Sequence, residues 1–221
     1  MEHLLGLYHR RYDPLHPVIC FDERPCFLIG DTLMPIPMKA GDGRSPGKAK
    51  REHYAYKKNG SCCLLIAIEP LTGKRLAKVF KRRRKREYAQ FMRELAALYP
   101  QAEKIHLVQD NLNTHHSGSF YEQFPAEEAF TLQERFVFHY TPKGASWLNM
   151  VEIELSAISR QCLNRRIGSQ DELEREVLAL VKEREQNEIR INWQFSIETA
   201  RTKLNRHYRV VNSENVIYQR I

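Results

Sequence analysis

The chain has 221 residues, 42% hydrophobic and 28% charged, which suits a folded protein with a sizeable core and excludes a disordered one. Its formal net charge of +8 favours polyanionic partners. Five cysteines (Cys20, Cys26, Cys62, Cys63, Cys162) form no C-x-x-C pair, so neither a disulfide framework nor a zinc ribbon is signalled and a reducing cytoplasm is expected. The start has no basic segment followed by a long apolar one, and the longest apolar run, Cys62 to Ile68, is too short to span a bilayer; no membrane association is expected.

In chain order, residues 1–16 carry three His, two Arg and Pro14 and read as a linker or arm. Val18 to Asp22 is a short buried strand, and Cys26 to Gly30 a second, reached through Arg24-Pro25. Residues 34–60, with Pro35, Pro37, Gly41, Gly43, Pro46 and Gly47, read as a long basic loop. Ser61 to Glu69 is a strand, Pro70-Leu71-Thr72-Gly73 a turn, and Leu76 to Phe80 the returning strand. From Glu87, the spacing of Tyr88, Phe91, Leu95 and Leu98 predicts a helix that Pro100 ends. Ile105 to Val108 is the central strand. A helix capped by Ser117 or Ser119 runs to about Glu128, and Phe136 to Tyr140 alternates as a strand. Ser146 to Cys162 is helical, with Leu148, Val151, Leu155, Ile158 and Cys162 as its apolar stripe. Ser169 and Glu172 form a capping box opening a helix through about Glu188, and Trp193 to Tyr208 reads as a last helix. Hairpin-joined strands followed by crossover-joined ones give an α/β fold with a mixed sheet under helices.

The candidate chemistry lies in acids at strand ends. His106-Leu107-Val108-Gln109 leads into Asp110-Asn111, and Val18-Ile19-Cys20-Phe21 into Asp22-Glu23. Converging carboxylates can hold two divalent ions about 3.5–4 Å apart for phosphodiester cleavage, and hard oxygen ligands suit magnesium or manganese. An Asp in this position also commonly caps a turn. A third acid is offered by Glu152 or Glu154, which at about 100° per residue lie on opposite flanks of one helix. Asn149, Ser156 and Ser159 share the flank of Glu152 and favour it. His115 and His116 make no familiar zinc spacing with Asp110.

Asp110-Asn111 followed by His115, and Trp147-Leu148-Asn149 followed by Glu152, together resemble the DDE transposases of bacterial insertion sequences in the mariner superfamily. Phe21-Asp22-Glu23 matches their first acid, and the tail Ile191-Asn192-Trp193-Gln194-Phe195, with Ala200-Arg201 and Lys203-Leu204, their end; the likeness spans about residues 16–210. The resemblance implies a ribonuclease-H-like mixed five-stranded sheet, with Asp22, Asp110 and Glu152 as catalytic acids binding two magnesium ions. His115 would orient Asp110 or touch a phosphate, and Asn111 and Asn149 would support the site. It further implies cleavage at DNA ends and attack of the freed 3′-hydroxyl on target DNA, typically at a TA dinucleotide.

DNA as partner is also read from the charge. Between Lys74 and Glu94, ten Lys or Arg stand against Glu87 and Glu94 alone, six of them consecutive: Lys81, Arg82, Arg83, Arg84, Lys85 and Arg86. The loop adds Lys39, Arg44, Lys48, Lys50, Arg51, Lys57 and Lys58. Such residues give salt-dependent, sequence-independent phosphate affinity. The expected division is an arm at 1–16, a catalytic domain at 17–165 and a helical extension at 166–221. With the first acid at position 22 there is no room for amino-terminal helix-turn-helix domains, so a split reading frame or a truncated remnant is expected, acting as a homodimer near the nucleoid, with a separately encoded recognition subunit in the former case. The rival readings are a ribonuclease-H-fold nuclease that cuts without joining and an idle DNA-binding remnant.

Overall fold

A computed structural model describes residues 1–41 and 46–212. Five strands, β1 (Val18–Asp31), β2 (Tyr56–Ile68), β3 (Arg75–Phe80), β4 (Ile105–Gln109) and β5 (Phe136–Tyr140), form one sheet in the order β3-β2-β1-β4-β5. β2 runs antiparallel to both neighbours, whereas β1, β4 and β5 are mutually parallel. This is the ribonuclease-H-like mixed sheet that the sequence resemblance implied.

Helices cover both faces. β2 shows why, because Cys62, Leu64, Ile66 and Ile68 face one apolar layer and Cys63, Leu65 and Ala67 the other. A strand buried on both sides needs a continuous apolar run, which is what the sequence carries there. One layer is closed by α1 (Glu2–Tyr8), α5 (Val151–Gln161), α6 (Gln170–Gln186) and α7 (Ile197–Lys203); α8 (Asn205–Val211) follows. The other is closed by α2 (Lys85–Ala97), α3 (Gly118–Tyr121) and α4 (Ala126–Glu134). All five cysteines are buried and free. Among the described residues, no helix is long and apolar enough to cross a membrane.

Several elements differ from the sequence expectation. The segment read as a linker or arm contains α1, whose Leu4, Leu5 and Leu7 are buried under the sheet. Seven residues give too short a pattern for periodicity to announce, and tertiary burial supplies the stability. The two strands expected on either side of Arg24-Pro25 are one. Pro25 lies beyond the Val18–Cys20 stretch that pairs with β4, so β1 there has a neighbour on one side only, where proline is tolerated. The outer halves of β1 and β2 continue as a ribbon, so residues 56–60 are strand and not loop. Within the remaining loop, Ile36 bridges Arg51 and Lys39 bridges Lys48. The helix expected to run to Glu128 is split into α3 and α4 around Pro125, which lacks the N–H a continuous helix needs. Likewise, the last helix is two short ones, α7 and α8. The capping box at α6 is present: Ser169 accepts from Glu172 N–H, and the Glu172 carboxylate accepts from Gly168 N–H.

Candidate functional site

Parallel pairing sets the geometry. Val18, Ile19 and Cys20 stand opposite His106, Leu107 and Val108, so the same register carried two residues further sets Asp22 beside Asp110 at one end of the sheet. Alternation along each strand puts both on the face of Cys20 and Val108, the face that α5 covers. Glu152 lies in the first turn of α5. Asn149 fixes that turn: its buried amide donates to the Phe21 carbonyl at 2.8 Å, one residue before Asp22. Its own oxygen accepts from Val151 N–H at 3.4 Å, which ties the helix start to the same contact.

Asp22, Glu152, Ser156 and Ser159 share one groove, with Arg24 and Arg160 on its rim. Position separates the two glutamates of α5, with Glu152 on the groove beside Asp22 and Glu154 away from it. Glu154 is fully buried on the far flank, where Arg75 and Arg184 both donate to it. Glu152 has no side-chain hydrogen bond or ion pair among the described residues.

Asp22 and Asp110 are each held by one oxygen. Asp22 Oδ1 accepts from Glu23 N–H at 2.8 Å. Asp110 Oδ1 accepts from Leu112 N–H and pairs with His115 Nδ1. Oδ2 of each has no protein partner among the described residues. Burial pushes the Asp22 carboxyl up to about 7; the Glu23 N–H opposes this, and the charges of Asp110 and Glu152 add to it. Three carboxylates with free oxygens, two of them pressing on the third, are a donor set that fits a hard divalent cation. Among the described residues, no three His, Cys, Asp or Glu side chains converge tightly enough to enclose an ion, so a cation would have to draw these acids together.

His115 is buried between sheet and helices, stacked on Tyr88 and edge-on to Phe21. Its Nε2 lies 2.6 Å from Glu23 Oε2. Burial pulls its pKa down, but the hydrogen bonds to Asp110 and Glu23 outweigh that and push it up to about 9. The loop carrying it is anchored in turn, because Gln109 donates to the His115 carbonyl and accepts from Tyr88 OH. Asn111 is exposed and makes no hydrogen bond among the described residues.

Sequence reasoning missed Glu23. It lies on the opposite sheet face from Asp22, links His115 to the Arg83 guanidinium at 2.7 Å, and buries its side chain in doing so. The adjacency Asp22-Glu23 was visible, but a partner 92 residues away was not. The basic residues are dispersed. Within the run of six, Arg83 pairs with Glu23, Arg84 with Glu87 and Lys85 with Glu122, while Lys81, Arg82 and Arg86 are exposed and outside any ion pair among the described residues. Lys57 and Lys58 lie on the outer ribbon. Lys58 stands opposite Ile29, seven residues along β1 from Asp22, or about 23 Å at strand rise. Lys48, Lys50 and Arg51 are exposed in the loop beyond, Lys50 pairing with Glu52. Arg44 lies outside the described residues.

Residues 17–174 match the model of the DDE superfamily endonuclease family, and the chain belongs to that family. Among solved structures, it is similar to the HTLV-2 integrase catalytic core domain in complex with magnesium, in its dimeric form, with 16% identity and a TM-score of 0.38 over 76% of this chain and 86% of that one. No curated protein matches.

Proposed function

We propose that this chain is the catalytic core of a metal-dependent DNA transposase, of the mariner type found in bacterial insertion sequences, and that it cleaves DNA ends and joins them to target DNA. The observation that carries the reading is the shared end of β1 and β4, where the charges of Asp110 and Glu152 both press on the buried Asp22 carboxyl and each of the three acids keeps a carboxylate oxygen free. These three would hold magnesium or manganese, two ions in the two-metal form of the chemistry. Bound there, a divalent ion would supply the charge that activates the attacking oxygen and neutralises the leaving one.

The chain's own residues do the rest. His115, gripped by Glu23, holds Asp110 in one orientation and keeps its second oxygen turned outward. Asn149 fixes Glu152 relative to Asp22 through the Phe21 carbonyl. Arg24 and Arg160 line the same groove and offer positive charge to the phosphates on either side of the cleaved bond. Lys81, Arg82 and Arg86, with Lys57 and Lys58 on the ribbon, extend phosphate contacts away from the acids; about 23 Å along a duplex is roughly seven base pairs. The expected partners are transposon ends, target DNA, a second copy of the chain and a separately encoded helix-turn-helix subunit, in a bacterial cytoplasm at the nucleoid.

The test is cleavage and strand transfer of labelled DNA carrying terminal repeats, with magnesium, comparing the wild type with Asp110→Asn. Products that require Asp110 and include joined strands support the reading. Cleavage without joining favours the nuclease, and equal activity of the two proteins removes Asp110 from the site.

A further inference from the structure

Arg83 differs from the basic residues around it in its partner. Arg84 pairs with Glu87 three residues on and Lys85 with the exposed Glu122, while Lys81, Arg82 and Arg86 make no ion pair among the described residues. Arg83 reaches back to β1. Its Nη1 donates to Glu23 Oε1 at 2.7 Å, and the Glu23 side chain is 5% exposed where that of Arg83 is 47% exposed. Behind Glu23 come the buried His115 and then Asp110. One line of hydrogen bonds therefore runs from a half-exposed guanidinium to one of the three acids. The hydrogen bond from His115 holds the Asp110 carboxyl below its ordinary value against burial, and the Arg83 charge adds to it, so the guanidinium is close enough to act on that acid directly.

A guanidinium carries its N–H donors in one planar fork. Glu23 takes Nη1 of Arg83, whereas Nε and Nη2 make no hydrogen bond among the described residues. Holding one edge of the plane fixes its direction and leaves donors over for a second partner, with less freedom to lose when that partner binds. Phosphate oxygens match such a fork. The placement is complementary to that of Arg24. Glu23 and Arg83 lie on the sheet face that α2 covers, and Arg24, one residue on, turns to the face of α5, where its Nη1 donates to Ser159. The end of the sheet that carries Asp22 and Asp110 thus has a tethered arginine on each face.

We propose that Arg83 binds a backbone phosphate of the DNA substrate on the α2 side of the cleaved bond, so that the strand crosses the end of the sheet from Arg24 and Arg160 on one face to Arg83 on the other. The proposal rests on the reading of Asp22, Asp110 and Glu152 as the cleavage site. The tether gives Arg83 a part that its neighbours do not share. A phosphate on its open edge is fixed relative to Asp110 through Glu23 and His115, whereas Lys81, Arg82 and Arg86 add charge without fixing a position.

The experiment is binding of a labelled terminal-repeat duplex by the full chain without divalent ions, over a range of salt, followed by its cleavage with magnesium. Arg83→Ala should weaken binding by about tenfold and Arg82→Ala by about twofold, each lowering the salt slope by about one. Arg83→Lys keeps the charge but not the fork and should stay within about threefold of Arg83→Ala. Glu23→Gln releases the guanidinium, so combining it with Arg83→Ala should add no further loss. In cleavage, Arg83→Ala should raise KM by the factor by which it weakens binding and change kcat by less. Should Glu23→Gln fail to fold, the comparison with Arg82→Ala and Arg83→Lys still decides. Arg83→Ala no weaker than Arg82→Ala, full recovery by lysine, or additive losses with Glu23→Gln would each overturn the proposal. So would a large fall in the melting temperature of Arg83→Ala, which would make Arg83 a strut for Glu23. A wild type that cleaves, with Arg83→Ala indistinguishable from it, removes this proposal alone. A wild type that neither binds nor cleaves removes the DNA reading with it.

Discussion

Glu152 and Glu154 lie two residues apart on one helix and live in opposite electrostatic worlds. Glu154 is sealed in the core between two guanidiniums, each making two contacts to it, and Arg75 is held further by the Gly73 and Ile189 carbonyls. Glu152 faces a groove that already contains Asp22, and although Arg24 and Arg160 line it, Glu152 makes no ion pair with either among the described residues. A neutralised acid serves the fold. An acid left unneutralised beside two others destabilises the metal-free fold and becomes useful when a cation arrives.

The sharpest way to break that contrast is to neutralise one acid of each kind. Glu152→Gln, or Asp110→Asn, is expected to lower DNA cleavage by roughly 10³-fold or more, since a metal ligand supplies several kcal/mol of transition-state stabilisation. For Glu152→Gln the melting temperature should hold or rise, because repulsion on Asp22 is relieved, whereas Asp110→Asn also gives up the ion pair with His115 and should melt lower. A Glu152→Gln protein that loses activity by unfolding instead would count against the assignment. Glu154→Gln should do the reverse. It leaves two buried guanidiniums facing a neutral amide and should cost about 3–5 kcal/mol in urea unfolding, with activity per folded molecule near wild type. Should Glu154→Gln melt like wild type, the buried triad contributes little to stability and the contrast fails on that side.

Asn149 joins the two regions and should show an intermediate effect. Asn149→Ala removes a buried hydrogen bond to β1 and should cost about 1–3 kcal/mol. It also frees the start of α5, so cleavage should fall more steeply than stability alone explains. Stability and activity falling in strict proportion would make Asn149 a packing residue and nothing more.

How much of this was legible beforehand depends on the distance over which each residue acts. Asp22 and Asp110 end apolar runs, a local pattern. The preference for Glu152 came from Asn149, Ser156 and Ser159 on its flank, again local, and the groove does contain both serines. What pattern could not supply was partnership across the chain. Glu154 is chosen for the core by Arg75 and Arg184, from β3 and α6, and Glu23 is drawn inward by His115 and Arg83. The basic run read as one DNA-facing stretch, yet half of it is tied to glutamates, Arg83 to Glu23 of β1, Arg84 to Glu87 of α2 and Lys85 to Glu122 after α3. Helix α1 escaped notice because three leucines in seven residues say little until the layer they complete is seen.

The smallest effect, and the most direct reading of the unneutralised acids, is a pH dependence of the metal-free protein. Burial, with repulsion from Asp110 and Glu152, raises the Asp22 carboxyl to about 7 from its ordinary 3.8, against the pull of the Glu23 N–H. Between those values the folded chain keeps a proton that the unfolded chain releases. The contribution is therefore complete below the unfolded value and lost as pH rises through the folded one. The melting temperature without divalent ions should fall between pH 4 and 8, with about 2–4 °C of the fall due to this group if its contribution is near 1 kcal/mol. Magnesium at pH 8 should restore it, because a cation favours the ionised carboxylates and binding only the folded state stabilises by mass action. Asp22→Asn should flatten the Asp22 part of the slope and weaken the response to magnesium. A slope unchanged by Asp22→Asn would assign the titration to another group, with His115 the next to examine. Its pKa is also raised, to about 9, so its own contribution would disappear at higher pH, between 6.5 and 9.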